Sequence, residues 1–363
     1  MVVVTGLSGV WDVGNGMAPL SRAPPRVSVV MPNHNGGLWL AEAVGSLLGQ
    51  TLADFELLIV DDGSTDDSPE LLAGFARDDP RVRVIAQPRQ GLAAALNRGL
   101  EEAAAPLLAR LDSDDIARPL RLERQVAFMD AHPEVGLVGS WALQIDVNGR
   151  PRGRRAPQTE PAALARDLER TNPFVHSSVM ARTAPLRCLG GYRAALEAAE
   201  DYDLWLRLAE TTEVANLPEY LVSYRMHDAG VSRRQSLRQA FSVRLARAAA
   251  EARRAGRCDP AADLKAPPDW HAPVSVGSFY DKDAALFRWL DVPTAPPADC
   301  AAPPSRETLL GLSHAERRLA ALALFARSRS RDRGEARVAR GMFLRLCLGR
   351  PRTVVNAVWS LRT

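Results

Sequence analysis

Little in this chain would staple it or anchor it. Its four cysteines, Cys188, Cys258, Cys300 and Cys347, are widely spaced and form no C-x-x-C pair. That argues against a disulfide framework and against a thiolate zinc site, and reduced, buried thiols are the expectation. No window approaches the roughly 20 apolar residues that a spanning helix needs. The N-terminus shows neither the basic n-region nor the long apolar core of a signal peptide. Residues 1–24, rich in Gly and closing on Arg-Ala-Pro-Pro, read as a loose leader, with Met17 an alternative start. Lysine is nearly missing: Lys265 and Lys282 stand alone, so the 46 basic residues are almost all arginine.

What remains is a soluble composition, 46% hydrophobic and 25% charged over 363 residues, which suits one large domain with an appendage. The net charge of +3 hides an asymmetry. Residues 231–363 hold 24 Arg and Lys against 12 Asp and Glu, leaving 22 against 31 in the body. A basic tail on an acidic body points to an anionic surface or ligand, or to an arginine-rich proteome.

From Arg26 the pattern turns regular. Val27–Met31, Phe55–Val60, Val82–Ile85, Leu107–Leu111 and Val135–Ser140 are short apolar runs that fit strands. Between them Leu38–Leu48, Ser68–Ala76, Gly91–Ala104 and Leu120–Met129 carry helical periodicity, Ser68 serving as N-cap and Pro69 as first helical residue. Such alternation predicts a parallel sheet covered on both faces, with ligands beyond the carboxyl ends of the strands. Asn33–Asn35, Asp61–Asp66 and Asp112–Asp115 all fall there. Residues 148–162 read as a linker, Phe174–Met180 as a strand, and 233–257 as an Arg/Ala-rich helix. Residues 259–305 look irregular, and 306–328 and 334–348 helical. Leu204, Trp205 and Leu208 sit at core-facing helical spacing. Residues 343–362 mix Leu, Val and Trp359 with arginines and read either as an interfacial amphipathic segment or as ordinary packing.

The densest signal is Leu-Leu-Ala-Arg-Leu-Asp-Ser-Asp-Asp at 107–115. An apolar strand runs into three carboxylates, and alternation would put Asp112 and Asp114 on one side. Like charges so placed want a hard divalent cation, Mg²⁺ or Mn²⁺, which takes oxygen ligands and bridges them to phosphates. A solvated acidic turn is the plain alternative.

Val-Val-Met-Pro-Asn-His-Asn (29–35), Val-Asp-Asp-Gly-Ser-Thr-Asp (60–66), Arg-Leu-Asp-Ser-Asp-Asp (110–115) and Glu-Asp-Tyr-Asp-Leu-Trp (200–205) occur in that order. Together they resemble the family 2 glycosyltransferases, inverting enzymes of the GT-A fold acting on nucleotide-activated sugars, of bacterial surface-polysaccharide type. The resemblance covers roughly residues 26–230. It implies an α/β, Rossmann-like, mostly parallel sheet flanked by helices, with a mainly helical C-terminal extension. The expected divisions are 25–140 for the donor half, 141–232 for the acceptor half and 233–363 for the basic extension.

The resemblance assigns Pro32, Asn33, Asn35, Asp61 and Asp62 to the nucleoside, although Asp61–Asp66 also reads as a turn and helix cap. His34 stands where the family usually has Tyr, which weakens any nucleobase stack. Gly91 and Arg98, with Gln90 and Asn97, fall where the family closes over the donor; Arg98 is equally an exposed helix charge. Asp114 is the direct metal ligand, Asp112 faces the ribose or a metal-bound water, and Asp115 meets the sugar hydroxyls. Arg110 is not assigned to phosphate. Asp201 is the base that takes the acceptor proton and Glu200 its supporting carboxylate, although acidic residues also simply favour a helix start. Tyr224–His227 with Val231 and Ser232 resembles a C-terminal signature, so His227 joins the metal or diphosphate set. His176 and Trp141 are candidates for the acceptor pocket.

The implied reaction moves a sugar from a nucleoside diphosphate-sugar, UDP first among them, to a hydroxyl on a glycan or lipid-linked glycan. It implies Mn²⁺ or Mg²⁺, a cytoplasmic setting with peripheral contact at the inner membrane face, and no nucleic-acid partner. Two other readings stand beside it. A nucleotidyltransferase would need a basic glycine-rich phosphate loop, and 31–37 has no Lys or Arg. A non-catalytic glycan-binding or scaffold protein would have a decayed site, against which Asp112, Asp114 and Asp201 argue.

Overall fold

The computed structural model describes residues 24–227 and 236–268, together with Ala320. The expectations placed on 1–23, Val231, Ser232, 269–319 and 321–363 lie outside the described residues, including Met17, the amphipathic end and both late helices.

The first half alternates as expected: β1 (Val27–Asn33), α1 (Gly37–Leu48), β2 (Phe55–Asp62), α2 (Ser68–Asp78), β3 (Val82–Gln87), α3 (Leu92–Glu102) and β4 (Leu107–Arg110). Every residue of β1 is buried, and its neighbours divide between two cores. Val30 and Leu58 face α3, whereas Val29, Met31, Leu57 and Ile59 face α1 and α2. That split is the period-2 alternation of a strand buried on both sides. The sheet runs β3-β2-β1-β4, all parallel. The chain reverses its winding between β1 and β4, so a crevice opens at their carboxyl ends, where such folds bind ligands.

The second half is mixed. Short β5 (Ile116–Ala117) is followed by α4 (Arg121–Ala131), long β6 (Val135–Ile145), β7 (Pro151–Arg155), α5 (Pro161–Leu168), β8 (Met180–Arg182), α6 (Thr183–Cys188), α7 (Glu200–Leu208) and β9 (Glu213–Arg225). The sheet continues β4-β8-β6-β9-β5, with β7 also on β6. β8 is antiparallel to both β4 and β6, β9 is parallel to β6, and β5 is antiparallel to β9.

Three elements differ from the sequence reading. The 148–162 segment contains β7, whose Gly and Arg residues follow the register of β6. Phe174–Met180 is not a strand: a 3-10 turn over His176–Ser178 precedes β8, because Ser178 Oγ bonds back to the Val175 carbonyl at 2.8 Å. β9 shows no strand pattern in the sequence, because Pro218 and two glutamates interrupt its apolar residues. Its pairing with β6 jumps from Ser140–Leu217 to Trp141–Tyr220, so Pro218 sits in a bulge where no ladder amide is needed.

α8 (Ser236–Arg254) buries Phe241, Leu245, Ala246, Ala249 and Ala250 in one core with Leu204, Trp205 and Leu208 of α7. Trp205 is a core residue, as its spacing implied. Cys188 and Cys258 are free but exposed, not buried as expected. Among the described residues no helix is long and apolar enough to cross a membrane.

The α3–β1 contact is tight at Gly99, where a Cβ would lie 2.3 Å from Val30 Cγ1. Gly99→Ala should therefore destabilise the fold by about 1–3 kcal/mol despite its gain in helix propensity. Thermal or urea unfolding checks this, and an unchanged midpoint would show that α3 can shift at no cost.

Candidate active site

The turn after β1 and the turn after β4 abut: a Cβ on Gly36 would come within 2.8 Å of Ser113 Oγ. The strand ends at Arg110, so Asp112–Asp115 form a turn and alternation does not govern them. The turn nevertheless gathers the carboxylates, and one oxygen each of Asp112, Asp114 and Asp115 lie within 4.8 Å of one another.

Each is held differently. Asp112 makes a two-pronged pair with Arg110, one arm being Nη1 to Oδ2 at 2.6 Å and the other Nη2 to Oδ1. Ser177 Oγ accepts from Arg110 Nη1 at 2.9 Å and donates to Asp112 Oδ2 at 3.1 Å. Asp114 Oδ2 lies 2.7 Å from His227 Nε2. Asp115 is fully buried, and its Oδ1 accepts the Arg225 backbone N–H at 2.7 Å. Its Oδ2 is buried without a partner. Burial, then the charges of Asp114 and Asp112, push its carboxyl well above the ordinary carboxylate range.

An unpartnered buried oxygen among three carboxylates is the donor set a hard divalent cation takes. Asp112, Asp114 and Asp115 therefore fit a bound metal, and His227 stands against Asp114 with its Nδ1 unpartnered.

The second acidic group opens α7. Asp201 Oδ2 accepts from Asn172 Nδ2 at 2.7 Å, and its Oδ1 from the Tyr202 N–H at 2.6 Å. Burial raises its pKa against those bonds. Glu200 is pushed up to about 8, by burial first and then by Asp201. His176 connects the two acidic groups. It adjoins Ser177 in sequence, and its Nδ1 lies 3.9 Å from Asp201 Oδ2. Its Nε2 is 3.2 Å from the Tyr192 hydroxyl. Burial, then Arg110, holds its imidazole well below the usual histidine range, so it is neutral near pH 7. The rings of Phe174, His176 and Tyr192 all pack edge-on to Trp205, which fixes this wall of the cleft.

The remaining candidates divide. Pro32 is buried in β1. Asn33 Nδ2 donates to Asp61 Oδ1 at 2.8 Å, and its own Oδ1 is buried and unpartnered. Asp61 also accepts from Ser64, the turn arrangement its sequence suggested. Asn35, in the left-handed region at φ 54°, bonds to Ser64 and Thr65. Asp62 ties the end of β2 to the loop before α3, accepting from Gln87, Gln90 N and Gly91 N. Gly91 has φ 94°, and a Cβ there would meet nothing within 4 Å. Arg98 is half exposed and pairs with Glu102 one turn on, the arrangement of a surface helix. Asn97 brackets Tyr192, each bonding the other's backbone or side chain at 2.8 Å. His34 Nδ1 is 2.9 Å from the Asp62 carbonyl. Trp141 donates to the Pro157 carbonyl beside Tyr220.

Sequence reasoning missed Arg110, Ser177, Asn172 and Arg225. Arg225 is buried, donates to the Asp114, Asp146 and Val147 carbonyls, and pairs with Glu42 at 2.5 Å. The sequence offered two signals for these: Arg110 stands beside the acidic turn, and Arg225 lies within the Tyr224–His227 signature.

An α/β sheet with a carboxylate triad after β4 and an acidic helix start linked to it through Ser177 and His176 is the arrangement to compare with known enzymes. The glycosyl transferase family 2 model matches residues 28–190. The chain is 36% identical over 198 residues to the amylovoran biosynthesis glycosyltransferase AmsE of Erwinia amylovora, covering 54% of this chain and 74% of AmsE. It is 31% identical over 206 residues to the O-antigen biosynthesis glycosyltransferase WbnJ of Escherichia coli, covering 56% and 80%. The crystal structure of S. aureus TarS 1-349 superposes with a TM-score of 0.51 at 19% identity, covering 83% of this chain and 79% of that one. The chain belongs to glycosyl transferase family 2: it is a glycosyltransferase, and its fold is the expected GT-A type.

Glu200 yields a stability prediction. A carboxyl raised from 4.5 to about 8 in the folded state binds more protons folded than unfolded across that interval. Stability therefore falls as pH rises from about 5 to 8. Melting temperatures across that range should show a smaller fall for Glu200→Gln than for wild type, and equal slopes would contradict the burial argument.

Proposed function

We propose that this glycosyltransferase is metal-dependent and inverting. It takes a sugar from a nucleoside diphosphate donor, UDP first among the bases, and passes it to a hydroxyl on a glycan or lipid-linked glycan. The setting is surface polysaccharide or glycolipid assembly, in the cytoplasm with peripheral membrane contact. The observation that carries this reading is the joining of two acidic groups in one cleft: Asp112–Asp115 and Asp201 are linked through Ser177 and His176. Relatives named for amylovoran and O-antigen biosynthesis support the setting. TarS has been solved in complex with UDP and with UDP-GlcNAc, at TM-scores of 0.51 and 0.50, which supports the donor class.

In this reading residues 25–140 hold the donor and 141–232 present the acceptor. Asn33, Asp61 and the Asp62-bound loop with Gly91 shape the nucleoside end, with the free Asn33 Oδ1 turned to it. Mn²⁺ or Mg²⁺, held by Asp114 and Asp112 beside Asp115, supplies charge neutralisation of the diphosphate. Asp201 accepts the proton of the attacking hydroxyl. Asn172 and the Tyr202 N–H aim its carboxylate, while Glu200, protonated near neutral pH, spares it a second adjacent negative charge. Arg110 orients Asp112 through its two-pronged bond and favours its charged form against the burial that raises its pKa.

Turnover of a nucleotide-sugar panel, scored as released nucleoside diphosphate, tests this. Asp201→Asn should lose transfer by two orders of magnitude or more while nucleotide affinity persists; undiminished transfer would remove Asp201 as base. Asn172→Ala deletes a bond that lowers the Asp201 pKa. Its acid limb of activity should move to higher pH, and an unmoved limb would show that Asn172 does not orient the base.

A further inference from the structure

Strand β9 pairs with β6 along its whole length, from Val135 to Ile145. The opposite edge of β6 is shared: β8 takes Leu137 and Val138, and β7 takes Ala142 to Ile145. β8 leads to β4, which ends at Arg110. So β7 extends along the β4 side of the sheet, beyond the end of β8, beside the opening between the triad and Asp201.

β7 carries three arginines, and they are not equivalent. Arg152 is paired with Asp146 at 2.9 Å, and Arg154 lies over the Tyr220 ring at 5.7 Å. Arg155 points from the other face. Its hydrogen bond is a long one, Nη2 to the Asn172 carbonyl at 3.4 Å, and Asn172 is the residue that holds Asp201. Its charge reaches both walls of the cleft: it favours the ionised forms of Asp201 and of Tyr224, and Tyr224 also feels Asp115, Asp112 and Asp114. An exposed guanidinium with most of its donors free, one residue from the proposed base, suits a planar oxyanion.

We propose that Arg155 is the acceptor anchor of this cleft, and that the acceptor carries an oxyanion, phosphate or carboxylate, close to the hydroxyl that is glycosylated. This rests on the donor and base assignment made above. The oxyanion docks at the end of β7, which brings the attacking hydroxyl to Asp201. A neutral acceptor lacks that anchor and binds more weakly.

The test is binding to the full chain with UDP and Mg²⁺ at saturation, so that the diphosphate subsite is filled. Glucose 1-phosphate, glucuronate and neutral methyl glucoside are titrated against wild type, Arg155→Gln and Arg155→Lys. At least one anionic probe should bind wild type about tenfold or more tightly than methyl glucoside. Arg155→Gln should abolish that preference, and Arg155→Lys should keep part of it. The stronger anion identifies the group. Equal affinity for charged and neutral probes, or a preference untouched in Arg155→Gln, overturns the proposal. A separate titration of UDP-glucuronate against UDP-glucose covers the donor: if Arg155→Gln weakens only the former, the oxyanion belongs to the donor sugar and the acceptor assignment is wrong. Failure of UDP itself to bind would instead overturn the donor reading. Equal melting temperatures confirm that the variants are folded, as expected for an exposed side chain.

Discussion

The site depends on one buried charge. Arg110 is 1% exposed and lies beneath a wall of carboxylates. It grips Asp112 with both arms, bonds Ser177, and its field favours the ionised forms of Glu200 and Asp201. Without it, Asp112 would lose its two-pronged partner, in a turn where Arg121 and Arg225 lie nearer Asp115 and Asp114. Removing one partner of such a pair is costly, because the other charge stays behind. The second buried arginine, Arg121, is driven down to about 9 by burial and then by Arg110 itself, and it braces the Arg110 and Val179 carbonyls. Two arginines packed this closely are tolerable only because the acidic turn lies above them.

The sheet explains how two distant motifs meet. The parallel half ends its strands at one edge and leaves a crevice between β1 and β4. The antiparallel β8 then brings Ser177 and His176 under the Asp112 turn, and α7 starts beside them. Trp205 locks this wall by packing against Phe174, His176 and Tyr192. The Glu-Asp-Tyr-Asp-Leu-Trp motif thus does two jobs: Asp201 lies 3.9 Å from His176, and Trp205 seats the helix.

The sequence revealed the parallel half well, because strands buried on both faces leave continuous apolar runs such as Val27–Met31, and helices between them show a 3.6-residue period. It revealed the second half poorly. β9 hides behind Pro218, which a bulge accommodates, and β7 looks like a linker because an edge strand has no apolar pattern to show. Asp112 and Asp114 stand out as an acidic cluster after a strand, and Asp201 stands out only through the resemblance of Glu-Asp-Tyr-Asp-Leu-Trp to the family's acidic motif. The side chains that orient them do not. Ser177, Asn172 and Arg225 come from elements far along the chain, and only folding places them at hydrogen-bond distance. Arg110 stands beside the acidic turn in the sequence, but its two-pronged hold on Asp112 is set by the turn geometry after β4.

The central claim is that the Asp112–Asp115 turn is a metal-dependent nucleotide site. Calorimetric titration of UDP with and without Mn²⁺, on wild type and on Asp114→Asn, tests it most directly. The account predicts that Mn²⁺ strengthens UDP binding to wild type by at least tenfold, and that the gain disappears in Asp114→Asn. UDP affinity that ignores Mn²⁺, or a gain that survives the substitution, would contradict it.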